Sequence, residues 1–141
     1  MEEPEFFVTT WGVDRPQLQQ VRRQVFIVEQ EVPEDEEWDD HDPVAVHVLA
    51  TWNREPVGTG RITLAGKIGR LAVLSEFRGR GIGRQILQLL IEQAYHRGLV
   101  EVFLHAQVQA LPFYEKAGFR AEGEVFDEAG IPHRRMRKAL G

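Results

Sequence analysis

Apolar and polar positions along this chain switch period several times, and each switch marks an element. Phe6-Phe7-Val8-Thr9-Thr10-Trp11 is aromatic and β-branched, which predicts a first strand. Asp14-Arg15-Pro16-Gln17 then reads as a helix start: Asp14 caps, proline sits in the first turn and Gln17 takes the capping-box position. Leu18, Val21 and Val25 give that helix an apolar stripe, which runs out through Val25-Phe26-Ile27-Val28-Glu29-Gln30. Strand periodicity returns at Val44–Trp52 and Val57–Leu64 across the turn Asn53–Pro56, and again at Lys67–Val73 after Ala65-Gly66. Gln85–Arg97 carries apolar side chains at helical spacing, closed by Gly98. Val100–Ala106 is a strand that the preceding helix lets lie parallel to Lys67–Val73. A short helix, Leu111–Ala117, stops at Gly118, and Phe119–Phe126 with His133–Leu140 predicts a last hairpin turning through Asp127-Glu128-Ala129-Gly130. The order is β-α-β-β-β-α-β-α-β-β: an α+β fold with a central mixed, mostly antiparallel sheet flanked by helices.

Charge sharpens this picture. The chain of 141 residues has 17 basic and 22 acidic side chains, a net charge of −5 that argues against nucleic acid as a partner. Nine acids lie between Glu29 and Asp42 with no Lys or Arg among them, which predicts a solvated loop. No apolar run is long enough to span a membrane. With no cysteine, disulfides, thiolate metal sites and cysteine catalysis are excluded. His41 and His47 with the nearby aspartates lack metal-ligand spacing, so no metal is expected. The acidic N-terminus has no signal-peptide core, and one domain over residues 1–141 in the cytoplasm is the expectation.

The stretch that the rest is organised around is Arg78-Gly79-Arg80-Gly81-Ile82-Gly83-Arg84, between a strand and the long helix. A glycine turn at a helix start aims unpaired backbone N–H groups and the positive end of the helix dipole at one point, which suits phosphate. The spacing of a P-loop is absent, and counting on from Gly79 and Gly81 puts Arg84 where a dinucleotide fingerprint needs its third glycine.

What remains, Arg-x-x-Gly-x-Gly on Arg78, Gly81 and Gly83, resembles the pyrophosphate motif of the Gcn5-related N-acetyltransferases, the GNAT superfamily. Phe113-Tyr114-Glu115-Lys116-Ala117-Gly118-Phe119 is similar to that family's Phe-Tyr-x-x-x-Gly-Phe. Val25–Gln30 together with Gly130-Ile131-Pro132-His133 looks like the ElaA-like subgroup. The resemblance implies a GNAT fold in which two splayed parallel strands bind acetyl-coenzyme A as co-substrate. It implies that the backbone of Leu71, Ala72 and Val73 pairs with the pantetheine arm, an N–H there polarising the thioester carbonyl. The amides of Arg78, Gly79, Arg80, Gly81, Ile82, Gly83 and Arg84 would hold the pyrophosphate, and Tyr114 would be general acid for the departing thiolate.

The implied acceptor is a primary amine of a small molecule or peptide. An alkyl amine has a pKa of ~10.4, so presenting it neutral at pH 7 costs about 4–5 kcal/mol, and a base is needed. Glu29, His47, His105 and His133 are the candidates, and Glu29, ending a helix at the mouth of the acidic loop, is preferred. The other reading is a non-catalytic acyl-coenzyme A sensor or interaction module on the same fold. The acceptor's identity and the oligomeric state, a homodimer included, stay open.

Overall fold

The computed structural model describes residues 3–141. Its strands are β1 (Pro4–Thr9), β2 (Val46–Trp52), β3 (Glu55–Ile62), β4 (Lys67–Val73), β5 (Glu101–Gln107), β6 (Arg120–Glu128) and β7 (Ile131–Ala139). Its α-helices are α1 (Trp11–Arg22), α2 (Glu34–Glu37), α3 (Ile82–His96) and α4 (Leu111–Lys116). The strands form one mixed sheet in the order β1-β2-β3-β4-β5-β7-β6. Every neighbouring pair is antiparallel except β4 and β5, which the α3 crossover makes parallel.

Each face of the sheet is covered by one stripe. Ile82, Ile86, Leu87, Leu90, Ile91 and Ala94 recur at helical spacing on α3 and bury against Val48, Ala50, Val57, Val102 and Leu104. Leu18, Val21 and Val25 occupy the other face, against Leu49 and Ala72. α3 can lie this close to β3 because Gly60 has no side chain. A Cβ there would stand 2.7 Å from Ile86 Cγ2 and 2.9 Å from Leu90 Cδ1.

Four local details differ from the sequence expectation. The first strand ends at Thr9, because Thr10 caps α1 by accepting from the Val13 N–H at 3.3 Å, and Trp11 is already helical. Asp14 does leave helical geometry (φ −121°, ψ 25°) ahead of Pro16, but its carboxylate accepts the Thr9 hydroxyl at 2.6 Å. The last hairpin turns on Ala129 and Gly130 alone, both at positive φ, so Glu128 belongs to β6. Finally, the acidic loop is only in part the expected solvated run: Glu29, Glu31, Glu34, Asp35, Glu36 and Asp40 are exposed, but Glu37, Asp39 and Asp42 turn inward onto arginines of α1, β3 and β4.

Gly60→Ala should lower stability by about 1–3 kcal/mol through overpacking against Ile86 and Leu90. Urea unfolding reads this as a lower midpoint; an unchanged midpoint would show that α3 does not depend on the missing side chain.

Candidate active site

The site begins with an irregularity in β4. On β3, Thr59 and Arg61 pair with Ala72 and Gly69, so β4 carries one extra residue in that interval. Arg70 takes a left-handed conformation there (φ 51°), and its carbonyl accepts the Thr59 hydroxyl at 3.1 Å. β4 therefore bends away from β5. The two pair only at Lys67 with Phe103 and Ile68 with Leu104, and the strands part beyond. Leu71, Ala72 and Val73 thus keep β3 on one side and have no strand on the other.

Beyond Val73 the chain makes the glycine turn and enters α3. Gly81 is the cap residue at φ 81°, with no side chain capping the first turn, so the first amides of α3 stay available. A Cβ on Gly79 or Gly81 would meet nothing of the protein within 4 Å, which leaves room for a bulky anion against the backbone. The open β4 edge and this cradle are continuous, and the residues present fit a phosphate-bearing thioester.

The three arginines of the turn do different things. Arg84 is exposed. Arg80 lies over the rings of Trp52 and Phe77 at 5.1 and 5.4 Å. Arg78 donates to both carboxylate oxygens of Glu29 at 2.8 and 2.7 Å, and through Nε to the Val73 carbonyl at 2.9 Å. Glu29 closes the π-helical continuation of α1 (Arg23–Glu29), whose wider turn is marked by Gln30 N–H bonding Val25 O at 3.1 Å. The Arg78 hydrogen bond holds the Glu29 carboxyl below its ordinary value, which makes it a poorer proton acceptor.

Tyr114 sits on α4, with its ring against Phe113 and Phe119 at 5.0 and 6.0 Å. Burial pushes its hydroxyl up to about 12, so it holds its proton through neutral pH. It lines a cavity of about 750 Å³ that opens on the α1 side of the splay, together with Lys67, Arg70, His105, Glu128 and His133.

One wall of that cavity is the acidic loop. Three arginines from three distant elements neutralise it. Arg22, from the last turn of α1, donates to Glu37 at 2.8 Å and to Asp42 at 2.7 Å, and its guanidinium lies over the rings of Trp11 and Trp38 at 5.4 and 5.1 Å. Arg61 binds Asp39 through two hydrogen bonds at 2.6 and 2.7 Å and Asp42 at 2.7 Å. Arg70, on the bulge, reaches Asp39 at 3.2 Å and the Glu37 carbonyl at 2.9 Å. Arg22, Glu37 and Asp42 are each at most 3% exposed. Burial works against the charge on Asp39 and Asp42, yet the arginines more than offset it and lower both carboxyls; for Glu37 burial wins and its carboxyl is raised.

The histidine candidates separate cleanly. His47 is buried, stacks on Trp11 at 5.4 Å and donates from Nε2 to the Asp42 carbonyl at 2.9 Å; burial lowers it. It is part of the scaffold. His105 and His133 both face the cavity, on either side of Glu128. Sequence reasoning misses Glu128, because Asp-Glu-Ala-Gly composition reads as turn and nothing local signals that the strand continues. It misses the buried arginine partners too, since they lie 15 to 33 positions from their acids.

A parallel pair forced apart beside a glycine turn and a half-buried tyrosine is the fold of the acyl-coenzyme A N-acyltransferases. The chain belongs to the GNAT acetyltransferase family: the family model described as an acetyltransferase (GNAT) domain matches residues 14–140. It is 40% identical over 122 residues to the uncharacterized N-acetyltransferase YjcF of Bacillus subtilis, covering 84% of this chain and 87% of that one. It is 35% identical over 131 residues to the protein ElaA of Escherichia coli, 87% and 86% of the two chains. The crystal structure of Escherichia coli ElaA superposes with a TM-score of 0.86 at 30% identity, covering 95% of this chain and 99% of that one. A Pseudomonas aeruginosa acyl-CoA N-acyltransferase gives 0.87 at 30%, over 97% and 100%. Among the described residues no helix is long and apolar enough to cross a membrane.

Arg22→Ala leaves buried carboxylates without their partner and should cost about 3–5 kcal/mol at neutral pH. The Asp42 carboxyl is lowered in the fold, so its pairing stabilises above the unfolded pKa of about 3.9 and is lost as pH falls below it. Urea midpoints measured against pH should therefore converge for the two proteins in acid. A gap that persists or widens there would contradict the charge account.

Proposed function

We propose that this protein transfers the acetyl group of acetyl-coenzyme A directly to a primary amine of a small molecule or peptide, with no covalent enzyme intermediate. The observation that carries this is the open β4 edge leading to an uncapped glycine turn, which offers backbone amides to an extended amide-bearing arm that ends in phosphates. Acetyl-coenzyme A, when bound, supplies a thioester whose carbon bonds to the amine nitrogen as its bond to sulfur breaks.

The chain's own groups do the rest. Leu71, Ala72 and Val73 extend the sheet to the pantetheine amides as an added strand would, and an N–H from this edge polarises the thioester carbonyl. The amides of Arg78 through Arg84 hold the pyrophosphate, with Arg84 free to add charge. Arg78 is braced by Glu29, which fixes the turn to the end of the π-helix; we assign Glu29 this bracing role rather than proton abstraction. Tyr114 gives its proton to sulfur, and the amide nitrogen's surplus proton restores it. A hydroxyl held up to about 12 keeps its proton at pH 7, so Tyr114 has a proton to give and is no base there.

The test is release of free thiol from acetyl-coenzyme A across a panel of amines. The protein has no cysteine, so a thiol reagent sees product alone. Amine-dependent release is expected. Tight binding with no release for any amine overturns the proposal and favours the sensor. Tyr114→Phe should lower kcat on the order of 100-fold while sparing acetyl-coenzyme A affinity, and Gly81→Glu should abolish that affinity by filling the cradle. Unchanged turnover in the first removes Tyr114 as the acid, and retained affinity in the second removes the glycine turn as the phosphate cradle.

A further inference from the structure

Glu128 is the centre of a cluster that the transfer steps leave unused. Its Oε1 lies 2.9 Å from His105 Nδ1, and its Oε2 lies 3.7 Å from His133 Nε2. The Phe126 ring closes the group, edge-on to His105 at 5.0 Å and stacked on His133 at 6.1 Å. All three polar residues line the cavity that also holds Tyr114.

The hydrogen bonds decide which nitrogen can act. A carbonyl only accepts, so His133 Nδ1, 2.7 Å from the Ile131 carbonyl, carries the hydrogen, and its Nε2 faces Glu128. That Nε2 stands 3.7 Å from Glu128, beyond hydrogen-bonding distance, but the His133 side chain is only 9% exposed against 24% for His105, so His105 is the more accessible of the two from the cavity. Burial alone would raise the Glu128 carboxyl, but the His105 hydrogen bond and the charge of Lys67 leave it lowered, hence ionised at neutral pH. An ionised carboxylate only accepts, so His105 Nδ1 donates to it, and Nε2 is left as the lone-pair nitrogen. Other groups that face His105 are Lys67 on β4, half-buried and lowered by burial, and His133 and Arg135 on β7. Arg135 is tied to Glu122 and laid over Phe103 at 4.3 Å.

The remaining base candidates are committed elsewhere: His47 to Asp42 inside the scaffold, Glu29 to Arg78, and Glu37 and Asp39 to arginines. His41 is exposed on the acidic loop at the opposite wall of the cavity, with no carboxylate among the described residues hydrogen-bonded to its ring. His105 is also the first cavity-facing residue of β5 past the last β4–β5 pair, at the point where the strands part.

We infer that His105 is the catalytic base, taking one proton from the acceptor's ammonium on Nε2, with Glu128 as the positioning residue that fixes its tautomer and stabilises the imidazolium formed. The inference rests on the proposed acetyl transfer. The proton balance is one ammonium proton to His105 and from there to solvent. The second nitrogen proton passes to Tyr114 as the thiol leaves protonated.

The experiment is kcat/KM against pH for wild type, His105→Gln and Glu128→Gln, with acetyl-coenzyme A affinity measured on each. In His105→Gln, kcat/KM should fall on the order of 100-fold or more at neutral pH with unchanged acetyl-coenzyme A affinity. Its acid limb should move up to follow the amine's own titration. In Glu128→Gln the loss should be smaller and the limb should shift to lower pH, since a neutral amide no longer favours the imidazolium. A merely structural role for Glu128 would lower activity without moving the limb, and overturns its assignment. An active wild type with an unchanged His105→Gln overturns the inference alone; a wild type that transfers nothing to any amine overturns the transfer itself and this inference with it.

Discussion

The hydrogen bond from the Thr59 hydroxyl to the Arg70 carbonyl sits at the one place where β4 holds a residue more than β3. A non-glycine residue at positive φ is strained, and at Arg70 the strain is held by that bond and by the guanidinium's contacts with the acidic loop. Without the bulge, β4 would continue alongside β5 and seal its own amides. With it, the backbone of Leu71 to Val73 is left facing a slot, and the cavity exists because the sheet does not close. The parting of β4 from β5 and the cavity beside it both follow from one extra residue.

The bulge also links the two sides of the sheet. Towards α3, close packing over Gly60 fixes the helix whose N-terminus forms the cradle. Towards α1, Arg70 fastens the acidic loop, and Arg22 and Arg61 make that loop a wall instead of a mobile run of repelling charges. Buried ion pairs of this density add little net stability over apolar packing, but they do fix one arrangement. What they fix is the position of the cavity's charged rim relative to the slot. The electrostatics therefore serve geometry first.

The element order, the parallel placement of β5, the glycine turn and the tyrosine helix were legible because each rests on local signals: period, caps, and glycines at positions of positive φ. The bulge was not, since Gly69-Arg70-Leu71 looks like ordinary strand and the surplus residue appears only against β3. Of the nine acids without a base, six are exposed as that pattern suggests, and the inward turn of Glu37, Asp39 and Asp42 was hidden because their partners are arginines on α1, β3 and β4. Glu128 was hidden by turn-like composition, where the tight Ala129-Gly130 turn lets the strand run two residues further. Glu29 was legible as a helix-end carboxylate, but its tie to Arg78, 49 positions away, was not. Long-range pairing decides the proton chemistry, and a single chain's pattern carries little of it.

The claim on which all this stands is that the open edge of β4 and the glycine turn form one ligand slot. Residue-resolved amide hydrogen exchange, with and without acetyl-coenzyme A, tests it directly. The account predicts new protection at Leu71 to Val73 and at Gly79 to Arg84 together, with β1 and β2 unchanged. Binding accompanied by protection elsewhere, with those two segments exchanging as before, would contradict it.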